Sequence, residues 1–202
     1  TYGNGLFVAV SESGTGNRVM TSPELPYLSF SGTTAQSLSG TMTATSSLPN
    51  VVFSESGTKT FTATASTSAF IIATSSGTVN APDTLSITGD FANSSSFTAP
   101  TTFIFDGARN QTATGTWSGT PNLTVAGSGQ KTFTTNASTT DVTVNSGAEL
   151  VPPPTLSIDG DYTNNGTSSS IATHWTSRTS AADNDWYSVT YGNGLFVAVS
   201  DS

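Results

Sequence analysis

Residues Leu48 to Thr62, LPNVVFSESGTKTFT, return 72 residues later as TPNLTVAGSGQKTFT, so that Pro49, Asn50, Gly57, Lys59 and Phe61 recur as Pro121, Asn122, Gly129, Lys131 and Phe133. Upstream, FSGTTAQSLSGT from Phe30 is answered by FDGARNQTATGT from Phe105 at an offset of 75. Downstream, TLSITGDFANS from Thr84 is answered by TLSIDGDYTNN from Thr155 at an offset of 71. Two units, about 28–99 and 103–170, therefore follow one another. Each is made of short alternating pieces that leave an apolar face open, and stacking on a neighbour is the economical way to cover it.

The alternation has a period of two and nowhere a convincing helical stripe. Thr60–Thr64, Phe70–Ile72, Leu85–Ile87, Phe103–Phe105, Leu123–Val125, Val142–Val144 and Leu156–Ile158 each read as a short strand, with Ser-Gly, Asp-Gly and Asn-Gly breaks between them. The class is all-β. Ser, Thr and Asn suit the corners of a stack, where their side chains reach backbone groups of adjacent coils. The succession FxG…Q…G, NL-T-V and G-D-[FY]-x-N-[NS] resembles the β-solenoid repeats of large bacterial surface and adhesin-like proteins. That resemblance implies a parallel β-helix-like body; a tandem pair of β-sandwich domains is the competing fold.

A second duplication frames the first. TYGNGLFVAVS stands at Thr1–Ser11 and again at Thr190–Ser200, continuing as SES and SDS. An Asn-Gly pair followed by alternating β-branched and aromatic residues reads as a strand entered from a tight turn. Leu6, Val8 and Val10 share one face, Phe7 and Ala9 the other, so the strand is apolar on both sides. Left bare, it is an aggregation hazard; the expectation is that a neighbouring copy completes it.

The flanks HWTSRTSAADNDWYSVTYGNGLFVAVSDS and GTGNRVMTSP, taken together, resemble one blade of the sialidase-like or BNR β-propeller repeats. Four strands are implied: around His174–Arg178, Trp186–Tyr191, Leu195–Ser200 and Arg18–Ser22. Of the Asp-box S-x-D-x-G-x-x-W this chain keeps Ser22 and, far away, Trp175, with Glu24-Leu25-Pro26 and the solenoid-like section between them. This implies a blade-like repeat, 1–23 with 174–202, into one of whose turns a body spanning 24–173 is inserted. Surface turns tolerate such insertions because loop-closure entropy grows only logarithmically. The run Val151-Pro-Pro-Pro154 lies inside the second unit and reads as a loop within it.

Composition removes several functions. Charged residues make up 9% of the chain and the net charge is −8. Such a chain repels phosphate backbones, so no nucleic-acid partner is expected. Nor is membrane insertion, for want of a long apolar run or a basic amphipathic stretch. With no cysteine and one histidine, thiolate chemistry, imidazole-rich metal sites and the usual nucleophile–base pairs lack members. No catalytic, cofactor-binding or metal residue is assigned, and no cofactor. His174 reads as a packing or surface residue.

Asp159 and Asp161, two apart on an expected strand, are the carboxylates a calcium site or a polysaccharide-acting β-helix enzyme would use, but the first unit has Thr88 at the place of Asp159. Asp183 and Asp185 read as a connecting turn. The blade resemblance does not bring sialidase activity, which needs an arginine triad from several blades; the arginines here are Arg18, Arg109 and Arg178. Thr60, Thr62 and Thr64 form a hydroxyl row of the kind ice-binding solenoids display, without a matching row beside it.

The expectation is a non-catalytic structural subunit or tandem repeat of an extracellular or cell-surface fibre. Its partner is itself, head to tail, by strand pairing through Leu6, Phe7, Val8, Val10, Tyr191, Leu195, Phe196 and Val197. The alternative is a carbohydrate-binding adhesin module with glycans as partners, for which Trp117, Trp175 and Trp186 are the candidate platform.

Overall fold

The structure, a computed structural model, describes residues 27–169 throughout and, beyond them, the strands Tyr2–Gly3, Leu6–Val10, Val19–Thr21, Asp185–Gly192 and Leu195–Asp201. The chain divides into two compact units, Thr1–Ile171 and Ala172–Ser202. The first contains a parallel β-solenoid of about 7 turns.

Every coil crosses three walls. The long wall is eight parallel strands, from Tyr27–Phe30 at one end to Thr167–Ser168 at the other. The middle wall is six, from Ala65–Thr67 to Tyr162–Asn164. The short wall comes in two ladders. Gln36–Leu38, Lys59–Phe61, Val79–Asn80 and Phe97–Thr98 form the first; Ala137–Thr139 and Leu156–Ile158 form the second. All of these ladders are parallel, which excludes the sandwich alternative, built of antiparallel sheets.

Alternation within each strand sends one set of side chains inward. On the middle wall Ala65, Leu85, Phe103, Leu123, Val142 and Tyr162 stand in one column, 18 to 20 residues apart. On the long wall Val51, Phe70, Phe91, Ala113 and Phe133 form another, 19 to 22 residues apart. In register, Phe30 stacks on Phe53 and Phe70 on Phe91, at centroid separations of 5.3 and 6.0 Å. Rings of different columns also meet: Phe53 lies 5.0 Å from Phe70 of the next strand, and Phe105 of the middle wall meets Phe133 of the long wall at 5.0 Å. Burying a phenylalanine contributes about 1.5–3 kcal/mol and a well-placed aromatic pair about 0.5–1.5 kcal/mol beyond that.

Six of the seven strands read from the sequence appear within one residue of their expected bounds. The seventh is shorter: the strand is Lys59–Phe61, and Thr62 and Thr64 lie beyond it. The expected flat threonine row is therefore not one strand face. Thr62 Oγ1 instead donates to the Leu38 carbonyl one coil back, at 3.1 Å.

Corners are closed by side chains that reach across coils. Asn50, Asp90, Asn110, Asn136 and Asp141 each accept, through Oδ1, a backbone N–H of the next coil, from Ala69, Thr112, Gln130, Thr155 and Asp161 at 2.8–3.1 Å. Each pairs an N–H that the ladders leave over where the chain turns.

The sequence repeat does not return to the same wall. Asn50–Phe53 lies on the long wall and its counterpart Asn122–Val125 on the middle wall; Lys59–Phe61 lies on the short wall, while Lys131–Phe133 lies on the long one. Met42 takes the middle-wall place of its coil through a single bridge to Ala65, and Ser118 takes a short-wall place through a bridge to Thr98. Counted so, the two units stand eleven wall-crossings apart, one short of four full coils of three.

Both lysines of the chain, Lys59 and Lys131, are inside, at 0% and 1% exposure. Each extends to a corner and donates to backbone carbonyls of two coils. Lys59 Nζ reaches Gly32 O at 2.9 Å and Gly57 O at 2.5 Å; Lys131 Nζ reaches Gly107 O at 2.8 Å and Ser128 O at 2.6 Å. The coil below supplies a glutamine to match. Gln36 and Gln111 pair in register with these lysines, and each accepts the N–H of the same glycine, Gly32 at 3.0 Å and Gly107 at 2.8 Å. The FxG…Q pattern of the sequence is thus a corner brace completed by the lysine one coil on.

Burial holds Lys131 below the ordinary lysine value of 10.5, with Asp106 opposing. The folded chain gives up this proton earlier than the unfolded chain, so between the two pKa values the unfolded state binds more protons and stability rises with pH. Burial holds Lys59 low in the same way. We expect the folding free energy to increase as pH climbs toward 10.5, and Lys131→Met to remove its part of that increment and leave the part due to Lys59; denaturant titrations of both proteins across the alkaline range measure it.

Candidate functional site

The two copies of TYGNGLFVAVS adopt one register. In the first, Tyr2 pairs antiparallel with Phe7 and Gly3 with Leu6; in the second, Tyr191 pairs with Phe196 and Gly192 with Leu195. The connecting pairs Asn4-Gly5 and Asn193-Gly194, which the sequence reads as tight turns, lie outside the described residues.

What each copy pairs with differs. Leu6–Val10 has Tyr2–Gly3 on one side and, on the other, Val19–Thr21, through Val8 with Thr21, Ala9 with Met20 and Val10 with Val19. Leu195–Asp201 pairs with the full-length strand Asp185–Gly192, and among the described residues with no other. Val199, the counterpart of Val10, is 55% exposed. Of the expected interface, then, all eight residues lie on paired strands: Leu6, Phe7, Val8 and Val10 on one copy, Tyr191, Leu195, Phe196 and Val197 on the other.

The candidate aromatic platform is divided. Trp175 lies outside the described residues, as do His174 and Asp183. Trp186 occupies a strand position opposite Ser200. Trp117 is described in full, half-buried where the short wall is interrupted. No backbone bond joins residues 116–120 to 136–138 there; instead the indole Nε1 donates to Ser138 O at 3.2 Å. The ring stands near-perpendicular to Phe91, Phe103 and Phe133, at 71°, 75° and 78°.

Two grooves share this tryptophan. One, of about 420 Å³, is lined by Thr116, Trp117, Gly119, Thr120, Asn136, Ala137, Ser138 and Ser157. The other, of about 210 Å³, is lined by Ser95, Ser96, Phe97, Thr116, Trp117 and Ser118. Neither lining includes a charged side chain.

The sequence carried a signal for this gap. Gly40 and Gly115 correspond, with φ of +100° and +96°, and so do Met42 and Trp117. From Gly40 to Pro49 is nine residues and from Gly115 to Pro121 is six, so the second unit lacks the length that the first spends on the 3-10 turn Ala44–Ser46. That is why the repeat offset falls from 75 to 72.

Asp159 and Asp161 do not share a strand face as expected. They sit in the corner between Leu156–Ile158 and Tyr162–Asn164, both exposed, and the Asp161 N–H donates to Asp141 Oδ1 at 2.8 Å. Among the described residues no three of His, Cys, Asp or Glu gather as a metal would need. No protein family, curated protein or solved structure matches the chain.

Proposed function

We propose that this chain is a non-catalytic structural repeat of an extracellular or cell-surface fibre, joined head to tail by strand pairing between copies. The observation that carries the reading is the shared register of the two hairpins. One copy has the strand that follows, Val19–Thr21; the other has the full strand that precedes, Asp185–Gly192. Overlaid on the common strand, they compose a three-stranded antiparallel meander of the blade-like kind, and each copy holds a different part of it.

Energetics favour completing it. A two-stranded hairpin is marginal alone, and among the described residues Leu195–Asp201 is paired on one edge only, with Val199 exposed on it. Backbone hydrogen bonds supply affinity, and the alternating Leu, Phe and Val side chains supply register. The contact is heterologous, so it propagates unless its rotation closes a ring. Few lysines and abundant Thr and Ser are the composition expected of a secreted or surface β-protein.

The test is the state of association. Light scattering after size exclusion, with negative-stain microscopy, is expected to show elongated assemblies of this chain. Phe196→Asp places a charge in the proposed seam and is expected to weaken association at least tenfold, while the solenoid's thermal transition stays where it was. A chain that remains monomeric at its highest soluble concentration, or an assembly indifferent to Phe196→Asp and Phe7→Asp, overturns the proposal.

A further inference from the structure

We infer that the interrupted short wall at Trp117 is a binding groove for a neutral oligosaccharide. The inference rests on the wall gap and its lining, and is independent of how copies assemble.

The chemistry of the lining selects the ligand. A concave site binds through apolar area plus a few placed polar groups, and this one offers an indole among hydroxyls and one carboxamide. An uncharged lining gives no compensation for a carboxylate, sulfate or phosphate taken out of water, so acidic ligands are disfavoured. A flat apolar molecule would leave the hydroxyls of Thr116, Ser138 and Ser157 without partners, that of Thr120 already accepting from Thr140 Oγ1 at 3.2 Å. A pyranose ring meets both demands, since its C–H face lies against an aromatic ring and its rim of hydroxyls both donates and accepts.

Two features make the groove a preformed one. The indole is fixed: its Nε1–H is committed to Ser138 O, and three phenylalanines hold it. Asn136 is fixed as well, because its Oδ1 accepts the Thr155 N–H at 3.0 Å, which leaves both Nδ2 protons for a ligand hydroxyl. Such fixed groups lose little entropy when a ligand arrives.

The grooves also run together. The smaller draws on Ser95 and Ser96 of one coil and the larger reaches Ser157 three coils on, with Trp117 common to both. At about 4.8 Å per coil this spans roughly 14 Å, room for a chain of sugars and not for a single ring alone.

Binding of the full chain to an array of neutral hexose and N-acetylhexosamine oligosaccharides, printed beside sialylated and uronic-acid ones, tests this. Retention of neutral glycans is expected, with acidic ones at background. Trp117→Ala removes the stacking surface but also a core contact, so the deciding variant is Thr116→Arg, at an exposed position shared by both grooves. It is expected to lower neutral-glycan binding at least tenfold with the melting temperature unchanged. No neutral glycan retained, retention of acidic glycans alone, or binding that Thr116→Arg leaves intact overturns the inference.

Discussion

Replacing Phe91 by alanine is expected to cost this solenoid about 3–5 kcal/mol, the range for removing a fully enclosed aromatic from a core that cannot collapse around the space. Phe91 is 1% exposed and touches more rings than one coil could supply: Phe70 of the coil before, Phe97 and Phe103 of its own, Phe105 beyond them, and Trp117 of the next. In-register stacking means that its removal opens the column on both sides. With roughly 2–4 °C per kcal/mol for a chain of this size, the melting temperature is expected to fall by about 6–20 °C. Differential scanning calorimetry reads it directly, and a shift under about 2 °C denies the column the role given to it here. The wall groove gives a second readout, since Trp117 loses one of the rings that hold it.

A single added methyl group at Gly115 is expected to do comparable damage for a different reason. Gly115 has φ of +96°, a conformation that costs an ordinary residue about 1–2 kcal/mol. A Cβ there also lies 2.0 Å from the Asn93 carbonyl oxygen of the coil before, and overfilling of that kind adds about 1–3 kcal/mol. Gly115→Ala is thus expected to lose about 2–5 kcal/mol. Its counterpart supplies the comparison. Gly40 has φ of +100° but open space around its would-be Cβ, so Gly40→Ala carries the conformational cost alone, about 1–2 kcal/mol. Chemical denaturation of the two variants separates backbone strain from the closeness of coils. Equal losses at both sites leave no role for inter-coil crowding.

Much of the fold could be read from period-two alternation, because an inward-facing column needs apolar residues at every other position whatever its neighbours do. Middle-wall strands such as Leu123–Val125 and Val142–Val144 stood out for that reason. The coil length of about twenty residues did not, although the longer repeat did. Each wall contributes only one or two inward residues per coil, their identities change from coil to coil, and long-wall register partners are spaced anywhere from 18 residues, Leu150 to Ser168, to 23, Phe30 to Phe53.

Polar residues were the hardest to place. Asp159 and Asp161 looked like strand neighbours because alternation does not reveal where a wall stops and a corner begins. The burial of Lys59 and Lys131 runs against the ordinary exposure of lysine, and their recurrence at matched positions in a chain with no other lysine was the available clue. For the groove at Trp117, the three-residue shortening before Pro121 was visible in the alignment of the two units, but that it opened a wall depended on which residues formed strands above and below.

An eleven-crossing unit wound on a three-walled coil behaves like the thread of a screw. The place held by Met42 on the middle wall passes to Trp117 on the short wall, and one more unit of the same length would carry it to the long wall before a further one restored the start. Lengthening such a body by whole units therefore spreads any surface feature around all three sides of the rod, whereas lengthening it by whole coils would line the feature up along a single edge.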